Sequence, residues 1–171
     1  MGTSLEKLLL RGSGQSVLAG LDLEGSASFD WIAELAVLST DFDSAFVALL
    51  DQDNVTVIGS YGVELDNFKK TMASRQLNQP IVCFPDVDVT FPNSPIVNGT
   101  FASAKTWLSA GIYLFGEFVG YIGVFTERRI KAVSEQQEQT MNDLAEIAGE
   151  MIRTKASLKL MLGDVFSLVN R

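Results

Sequence analysis

The feature that most constrains this fold is a pair of segments near the end of the chain, Thr106–Phe115 and Glu117–Thr126, joined tightly around Gly116. Successive side chains of a β-strand point to opposite faces of its sheet, so each segment presents two sets of residues. In the first segment, one set is uniformly apolar and the other mixes aromatic, hydroxyl and glycine residues. The pattern predicts an antiparallel hairpin whose two faces pack against different layers.

The first half of the chain predicts more of the same sheet. A helix at Ser28–Thr40 precedes two strands, Ser44–Asp51 and Val55–Tyr61, which flank the turn-forming tetrapeptide Asp51-Gln52-Asp53-Asn54. These segments predict a second antiparallel hairpin.

The middle of the chain predicts one helix, one edge strand and one long loop. Apolar residues at helical spacing predict the helix over 64–77; they are Leu65, Phe68, Met72 and Leu77. Pro80 precedes the short strand Ile81–Phe84, and proline is best tolerated at the edge of a sheet. Residues 85–104 show no regular period and contain three prolines, which indicates a loop of the kind that carries function. Together the elements predict an α+β sandwich with terminal helices on one face and a pocket beneath the loop on the other.

The last predicted helix begins at Ser134, where Ser134-Glu135-Gln136-Gln137 fits a capping box. Its apolar residues alternate at spacings of three and four, the heptad pattern of paired helices. We predict a dimer interface along this seam, at Met141, Leu144, Ala148, Met151, Leu158, Leu162 and Val165. Lys155 is the polar member of the seam. The alternative is that Gly163 ends the helix and that residues 164–171 fold back onto the domain.

Composition excludes several classes of function. The net charge of −8 argues against nucleic acid and anionic membranes as partners, because both are bound by clustered Lys and Arg. The single cysteine excludes an intramolecular disulfide, and the absence of histidine removes the usual haem ligand and the commonest general base. Neither a signal peptide nor a bilayer-spanning apolar run is found, so we expect a cytoplasmic protein with no membrane partner.

Several short motifs follow one another in the second half of the chain. After the edge strand come Pro85-Asp86, the aromatic Phe91 and then Ser94-Pro95. In this order they resemble the motifs of the GAF domain family. Residues 116–125 resemble the glycine-containing hairpin strand of the family, and Ser134-Glu135 resembles the start of its last helix. The resemblance implies a six-stranded antiparallel sheet, a ligand pocket under the loop and dimerisation through the terminal helices. It divides the chain into an N-terminal helix and linker (1–27), a GAF domain (28–155) and a C-terminal extension of the last helix (156–171).

The strand alternation and the resemblance together predict the residues that line the pocket. They are Phe84, Asp86, Phe91, Trp107, Ser109, Tyr113, Tyr121 and Phe125. The alternative is that these rings fill a second, smaller core and leave no pocket. We further expect the Asp86 carboxylate to cap the loop by accepting backbone amides, as Asx residues do.

No catalytic or metal-binding constellation is predicted, and the cofactor is unknown. Cys83 lies between two apolar residues of a strand and is expected to be a buried small side chain. The free methionine sulfoxide reductases, which share the GAF fold, use a pair of cysteines, whereas this chain has one. Bilin-binding relatives usually place a histidine beside the attachment cysteine, whereas this chain has no histidine. Asn93-Ser94-Pro95 does not match the motif of the cyclic-nucleotide relatives.

The function expected from the sequence is therefore a regulatory module that binds an unidentified small molecule and is not an enzyme. It would signal through a homodimer of its terminal helices to an output domain such as a histidine kinase or a diguanylate cyclase. Two alternatives stay open: a stand-alone enzyme on the same fold, and a dimerisation scaffold whose pocket is filled by its own side chains.

Overall fold

The computed structural model describes residues 21, 23, 26–51, 54–69, 78–90, 101 and 103–169. The described residues form three helices: α1 (Ala27–Thr40), α2 (Val87–Thr90) and α3 (Glu135–Val169). The strands are β1 (Ser44–Asp51), β2 (Asn54–Tyr61), β3 (Phe68–Lys69), β4 (Ile81–Phe84), β5 (Thr106–Leu114) and β6 (Glu117–Thr126). They form one antiparallel sheet in the order β3-β2-β1-β6-β5-β4, in which β3 is a two-residue edge strand. The predicted α+β class is confirmed.

Both predicted hairpins, β1–β2 and β5–β6, are present. Strand β1 of the first hairpin pairs with β6 of the second at the centre of the sheet. The β5–β6 turn consists of Phe115 and Gly116, which have φ values of 52° and 82°. Two-residue hairpin turns of type I′ require positive φ at both central residues, and their twist matches that of the strands. This requirement ends β5 at Leu114, one residue earlier than predicted.

The helices α1 and α3 pack side by side on one face of the sheet, as predicted. Together with the apolar set of β5 they form what we call the helix-side core. On β5 this set is Leu108, Ala110, Ile112 and Leu114, and all four are buried. Burial of a side chain of this size stabilises a fold by about 1.5–3 kcal/mol, so this face supplies most of the aliphatic packing.

The start of α3 is fixed by the predicted capping box. The Gln137 amide donates to Ser134 Oγ at 3.2 Å, and the Ser134 amide donates to Gln137 Oε1 at 2.8 Å. Gln137 Nε2 also donates to the Thr40 carbonyl at 2.6 Å, which ties this helix to the end of α1. The helix continues through Gly163 to Val169, so the alternative that it ends at Gly163 is wrong.

The predicted helix over 64–77 is wrong where the structure describes it. Residues 64–67 are irregular, Phe68–Lys69 form β3, and residues 70–77 lie outside the described part of the chain. The edge of β2 explains the difference, because its backbone groups need partners. Phe68 pairs with Val55, and Asn67 Oδ1 accepts the Val57 amide at 2.8 Å. Edge pairing thus overrides a helical spacing of apolar residues.

The predicted loop over 85–104 begins with regular structure, the four-residue helix α2. The Asp86 carbonyl accepts the amides of Val89 and Thr90 at 3.1 and 2.8 Å, and these bonds close the turn. Residues 91–100 lie outside the described part of the chain, as do the predicted N-terminal helix at 3–10 and most of the linker after it.

Candidate ligand-binding site

Five aromatic rings fill the face of the sheet opposite α1 and α3, and we call them the ring cluster. The members are Phe46, Phe101, Trp107, Tyr121 and Phe125. Strands β1, β5 and β6 supply four of them, whereas Phe101 comes from the connection that precedes β5. The Phe101 ring centroid lies 5.2 Å from that of Phe46, 5.3 Å from Trp107 and 5.1 Å from Phe125. In this structure the rings therefore pack on one another, as in the second-core alternative.

Two polar atoms inside the ring cluster have no hydrogen-bond partner among the described residues. They are the indole nitrogen of Trp107 and the hydroxyl of Tyr121, and each side chain is 1% exposed. Burial raises the pKa of Tyr121, so its hydroxyl stays protonated and can donate. Buried polar atoms are nearly always satisfied in native proteins, and each exception needs a physical explanation. Here two hydrogen-bond donors are held in an apolar environment with nothing to accept from them.

Gly123 makes room for this arrangement at the centre of the sheet. It pairs with Phe46 on one side and with Ser109 on the other. A Cβ atom at this position would lie 2.9 Å from Phe46 Cε1 and 3.3 Å from Trp107 Cζ2. The glycine thus leaves room for two large rings over the strand.

The structure brings most of the predicted pocket residues to this face. Trp107, Tyr121 and Phe125 belong to the ring cluster, and half-buried Phe84 packs against it. Ser109 is buried and pairs with Val82 and Gly123. The predicted alternation of β5 and β6 therefore holds.

Two predicted pocket residues lie apart from the ring cluster. Tyr113 is 37% exposed, packs on Phe118 at 5.5 Å between ring centroids, and donates from its hydroxyl to Asn78 Oδ1 at 3.3 Å. Its strand face is correct, but it lies near the hairpin turn, at the far end of β5. Asp86 lies at the end of β4, outside the ring cluster. Phe91 lies outside the described residues.

Sequence reasoning missed two members of the ring cluster. Phe46 shares its strand face with Ala48 and Leu50, so the alternation of β1 contained a signal for it. Phe101 lies in a segment without periodicity, and no sequence signal could have placed it.

A cluster of ion pairs lies beside α2. Asp88 Oδ2 accepts from Lys105 Nζ at 2.9 Å and from Arg129 Nη2 at 2.8 Å, and Arg129 Nη1 also donates to Asp86 Oδ1. The Asp86 carboxylate thus bonds a guanidinium rather than the backbone amides that the sequence predicts, because Arg129 is within reach. Hydrogen bonds from Lys105 and then Arg129 hold the pKa of Asp88 below its usual range. Arg129 lies between β6 and α3, so these pairs connect α2 with the segment that leads to the last helix.

Cys83 lies on the other face of β4 and packs against the helix-side core. Burial raises the pKa of its thiol, and the nearby Glu138 carboxylate raises it further. Because the thiolate is the nucleophilic form, this environment disfavours reaction at the sulfur. The described residues contain no group of three or more acidic or cysteine side chains that could hold a metal ion.

The predicted dimer seam on α3 divides into two parts. Met141, Leu144 and Ala148 are buried in the helix-side core of their own chain, so they are not available to a second subunit. Met151 is half-buried, whereas Leu158 and Leu162 are 54% and 58% exposed. The side chain of Val165 lies outside the described part.

Exposed Leu162 borders a face of α3 with four further exposed or half-buried apolar residues, which we call the outer stripe. It consists of Ile147, Met151, Leu158 and Met161. Among the described side chains of the helix, Ala156 is the last that is fully buried, and half-buried Leu160 is the last that packs against the helix-side core. The Lys155 ammonium lies 5.8 Å from the Phe29 ring centroid and 3.3 Å from Ser26 Oγ, so it contacts its own domain. No described helix is both long and apolar enough to cross a bilayer.

No family model and no curated protein sequence matches this chain. Solved structures do match it. The PixJ GAF domain of Thermosynechococcus elongatus, in its blue-light absorbing form, aligns over 99% of both chains with a TM-score of 0.62 and 12% identity. A type II free methionine-R-sulfoxide reductase from Thermoplasma acidophilum aligns over 89% of this chain and 96% of its own, with a TM-score of 0.61 and 12% identity.

A bacteriophytochrome from the photosynthetic bacterium R. palustris aligns over 99% of this chain and 42% of its own length, with a TM-score of 0.64 and 17% identity. These matches share the sheet and the flanking helices described above. The chain therefore has a GAF-like fold, as the sequence motifs predict. The fold is common to proteins that bind chromophores and to one that reduces a sulfoxide, so function has to be argued from the site.

Proposed function

We propose that this chain is a regulatory module that binds a small molecule at the ring cluster and performs no reaction on it. The observation that carries the proposal is the pair of unpartnered donors, Trp107 Nε1 and Tyr121 OH, inside a buried aromatic environment. Ligand sites combine apolar walls with a few well-placed polar groups, which is the composition found here. A ligand that accepts from these donors removes the penalty of leaving them unsatisfied.

Thermal unfolding in the presence of a metabolite panel tests binding. A ligand at 100 times its dissociation constant adds about 2.7 kcal/mol to the stability of the folded state, which raises the melting temperature measurably. We expect Trp107→Ala to abolish the shift and Tyr113→Ala, on the same strand face but outside the ring cluster, to preserve it. A panel without any stabilising compound would favour the scaffold alternative.

The proposed non-enzymatic role is supported by the chemistry of the one cysteine. Cys83 is packed against the helix-side core with a raised pKa, and the chain has no second cysteine to resolve an oxidised intermediate. The sulfoxide reductase among the structural matches makes this the activity to exclude first. We expect no turnover of free methionine-R-sulfoxide with a thiol reductant. Turnover that disappears in Cys83→Ser would overturn the assignment.

We also propose that the module acts as a homodimer through the outer stripe. Ile147, Met151, Leu158 and Met161 follow one another at spacings of four, seven and three residues, which place them on one helix face. Because Leu158 and Met161 are exposed although half-buried Leu160 between them still packs against the helix-side core, a second copy of α3 is the simplest partner for this exposed face. Paired helices of this kind would pass a change in the domain to an output domain such as a kinase or a diguanylate cyclase.

Sedimentation equilibrium tests the dimer. We expect Leu158→Glu to shift the mass toward the monomer. Val89→Glu, at an exposed position of α2 on the opposite side of the sheet, should leave the mass unchanged. A parent protein that sediments as a monomer at all concentrations would contradict this part of the proposal without affecting ligand binding.

A further inference from the structure

Two open grooves lie on the outer face of α3, and both follow the outer stripe. The first groove has a volume of about 580 Å³ and is bordered by Ile147 and Met151. The second groove has a volume of about 340 Å³ and is bordered by Leu158 and Met161. Thr154 lines both, so the two grooves meet at this residue.

The two grooves differ in charge. Three exposed carboxylates border the first groove, those of Asp143, Glu146 and Glu150. The second groove has no carboxylate among its described lining residues, and its one charged side chain is the cation Arg153. The Arg153 guanidinium donates to Glu150 Oε2 of its own chain, so the two charges already meet where the grooves adjoin. An acidic apolar groove and a basic apolar groove thus follow one another on a single helix.

The Phe115 ring forms one wall of the second groove, and the backbone of this residue is strained. Its φ of 52° lies in the left-handed region, where a Cβ atom crowds the main chain, so turns of this type favour Asn, Asp and Gly. The ring is only half-buried in its own chain, where it packs against the helix-side core. A bulky ring at a strained position is explained if the ring also has a contact outside its own chain.

A dimer of identical chains uses the same surface twice, because a two-fold axis makes each contact occur in two copies. In a parallel pair of α3 helices, the acidic groove of one copy would face the acidic groove of the other, and like charges would lie together. In an antiparallel pair, the acidic groove of each copy faces the basic groove of the other, which is the arrangement that charge complementarity favours. The outer stripe has the spacing for this arrangement, since Ile147 and Met161 each lie seven residues from Thr154, in opposite directions.

We propose that the two copies of α3 pair antiparallel and cross near Thr154, and that the Phe115 ring of each copy packs on the α3 of the other. The inference rests on the proposed homodimer and specifies its orientation and one contact from outside the helix. Ile147 of one copy then lies beside Met161 of the other. The two copies of Ile147 are 14 residues apart along the pair, about 21 Å at about 1.5 Å per residue.

Cross-linking between single introduced cysteines tests the orientation. The Ile147→Cys and Met161→Cys chains are prepared in the Cys83→Ser background, tagged differently, shown to be dimeric by sedimentation, mixed and treated with a short bis-maleimide. We expect cross-linked dimers mainly from the mixture, joining position 147 of one chain to position 161 of the other, and little product from either chain alone. Dimers that form at least as well from the Ile147→Cys chain alone would indicate a parallel pair. That result would overturn the inference and leave the proposed dimer standing.

Phe115→Asn tests the contact from the hairpin turn. Asparagine is favoured at this turn position, so the hairpin keeps its turn while the ring is lost. We expect the dissociation constant of the dimer, measured by sedimentation equilibrium, to rise about tenfold or more. The matched control is Phe118→Ala, which removes a half-buried ring of the same hairpin on the other face of the sheet and should leave the dimer unchanged.

An unchanged dissociation constant in Phe115→Asn would overturn the contact from the turn. A parent chain that stays monomeric at all concentrations would mean that another partner, or another segment of the same chain, covers this face of α3. That outcome would refute both the inference and the proposed dimer, whereas a dimer with the wrong cross-links refutes the inference alone.

Discussion

The two faces of the sheet are packed with different kinds of side chain. The helix-side core is mostly aliphatic, with the two buried rings Phe29 and Phe42, and is covered by the helices α1 and α3. The other face carries the ring cluster, two unpartnered donors and a set of ion pairs beside α2. Aliphatic packing has no polar atoms to leave unsatisfied, so it serves stability alone. The ring face retains hydrogen-bonding capacity that folding does not use, and that capacity is what a ligand can exploit.

The strongest test of this difference removes one buried ring from each face. Phe29→Ala, in the helix-side core, should lower the free energy of unfolding by about 3–5 kcal/mol, because the surrounding helices and sheet cannot close the cavity. Phe101→Ala should cost less, because Phe101 comes from a connection rather than from a strand or helix, so the chain can close part of the cavity. Urea denaturation of both variants measures the two values, and equal losses would contradict the comparison.

Glycines on the two faces give the next largest contrast. A Cβ at Gly59 would lie 2.4 Å from the main-chain carbon of Phe29, so α1 itself would have to move away from β2. We expect Gly59→Ala to destabilise the protein by about 3 kcal/mol, at the upper end for overpacking. At Gly123 the nearest atom belongs to the Phe46 ring, at 2.9 Å, and a ring can tilt, so Gly123→Ala should cost about 1 kcal/mol. If thermal unfolding shows a larger loss of stability in Gly123→Ala than in Gly59→Ala, the ring cluster is the more rigid side of the sheet.

The ion pairs should make the ring face more sensitive to acid and salt than the helix face. Lys105 and Arg129 lower the pKa of Asp88 in the folded state, so its contribution to stability is fully present at pH values above the unfolded pKa of about 3.9. It is lost as the pH falls through the lowered folded-state pKa. Stability measured between about pH 6 and pH 2 should fall less steeply in Asp88→Asn than in the parent.

An exposed carboxylate at the hairpin turn, Glu117, provides the control for that measurement. Glu117→Gln should leave the pH profile close to that of the parent chain. Added salt should reduce the difference between Asp88→Asn and the parent, because screening weakens partly exposed pairs. If the pH dependence of stability is identical for all three proteins, the ion pairs of Asp88 do not contribute to the stability of this face.

The smallest expected effect is the most diagnostic for the ring cluster. Tyr121→Phe removes a buried hydroxyl that has no described partner, so the free energy of unfolding should stay within about 0.5 kcal/mol of the parent or rise slightly. Thr106→Val is the matched control, because the Thr106 hydroxyl oxygen is equally buried but accepts the Ile130 amide at 2.9 Å. Its loss should cost about 1–3 kcal/mol. A comparable loss in Tyr121→Phe would mean that the hydroxyl is satisfied in solution.

The amino-acid sequence predicted the elements whose signal is local. The alternation of residues 106–126, the capping box at Ser134 and the order of hairpins and helices gave the sheet, its two faces and the GAF-like fold. It assigned Trp107, Tyr121 and Phe125 to the correct face because parity along a strand depends only on neighbouring residues. The GAF resemblance also motivated the division at residues 28 and 155, which stays a prediction.

Tertiary contacts decided the rest. Whether a stretch such as 64–69 is helix or strand depended on the open edge of β2, which no local pattern contains. The predicted heptad seam of α3 is continuous in the sequence, yet the folded domain buries Met141, Leu144 and Ala148 and leaves Leu158 and Leu162 exposed. Phe101 reaches the ring cluster from an aperiodic segment. Each of these outcomes rests on contacts between residues far apart in the chain, and such contacts are visible only once the chain is folded.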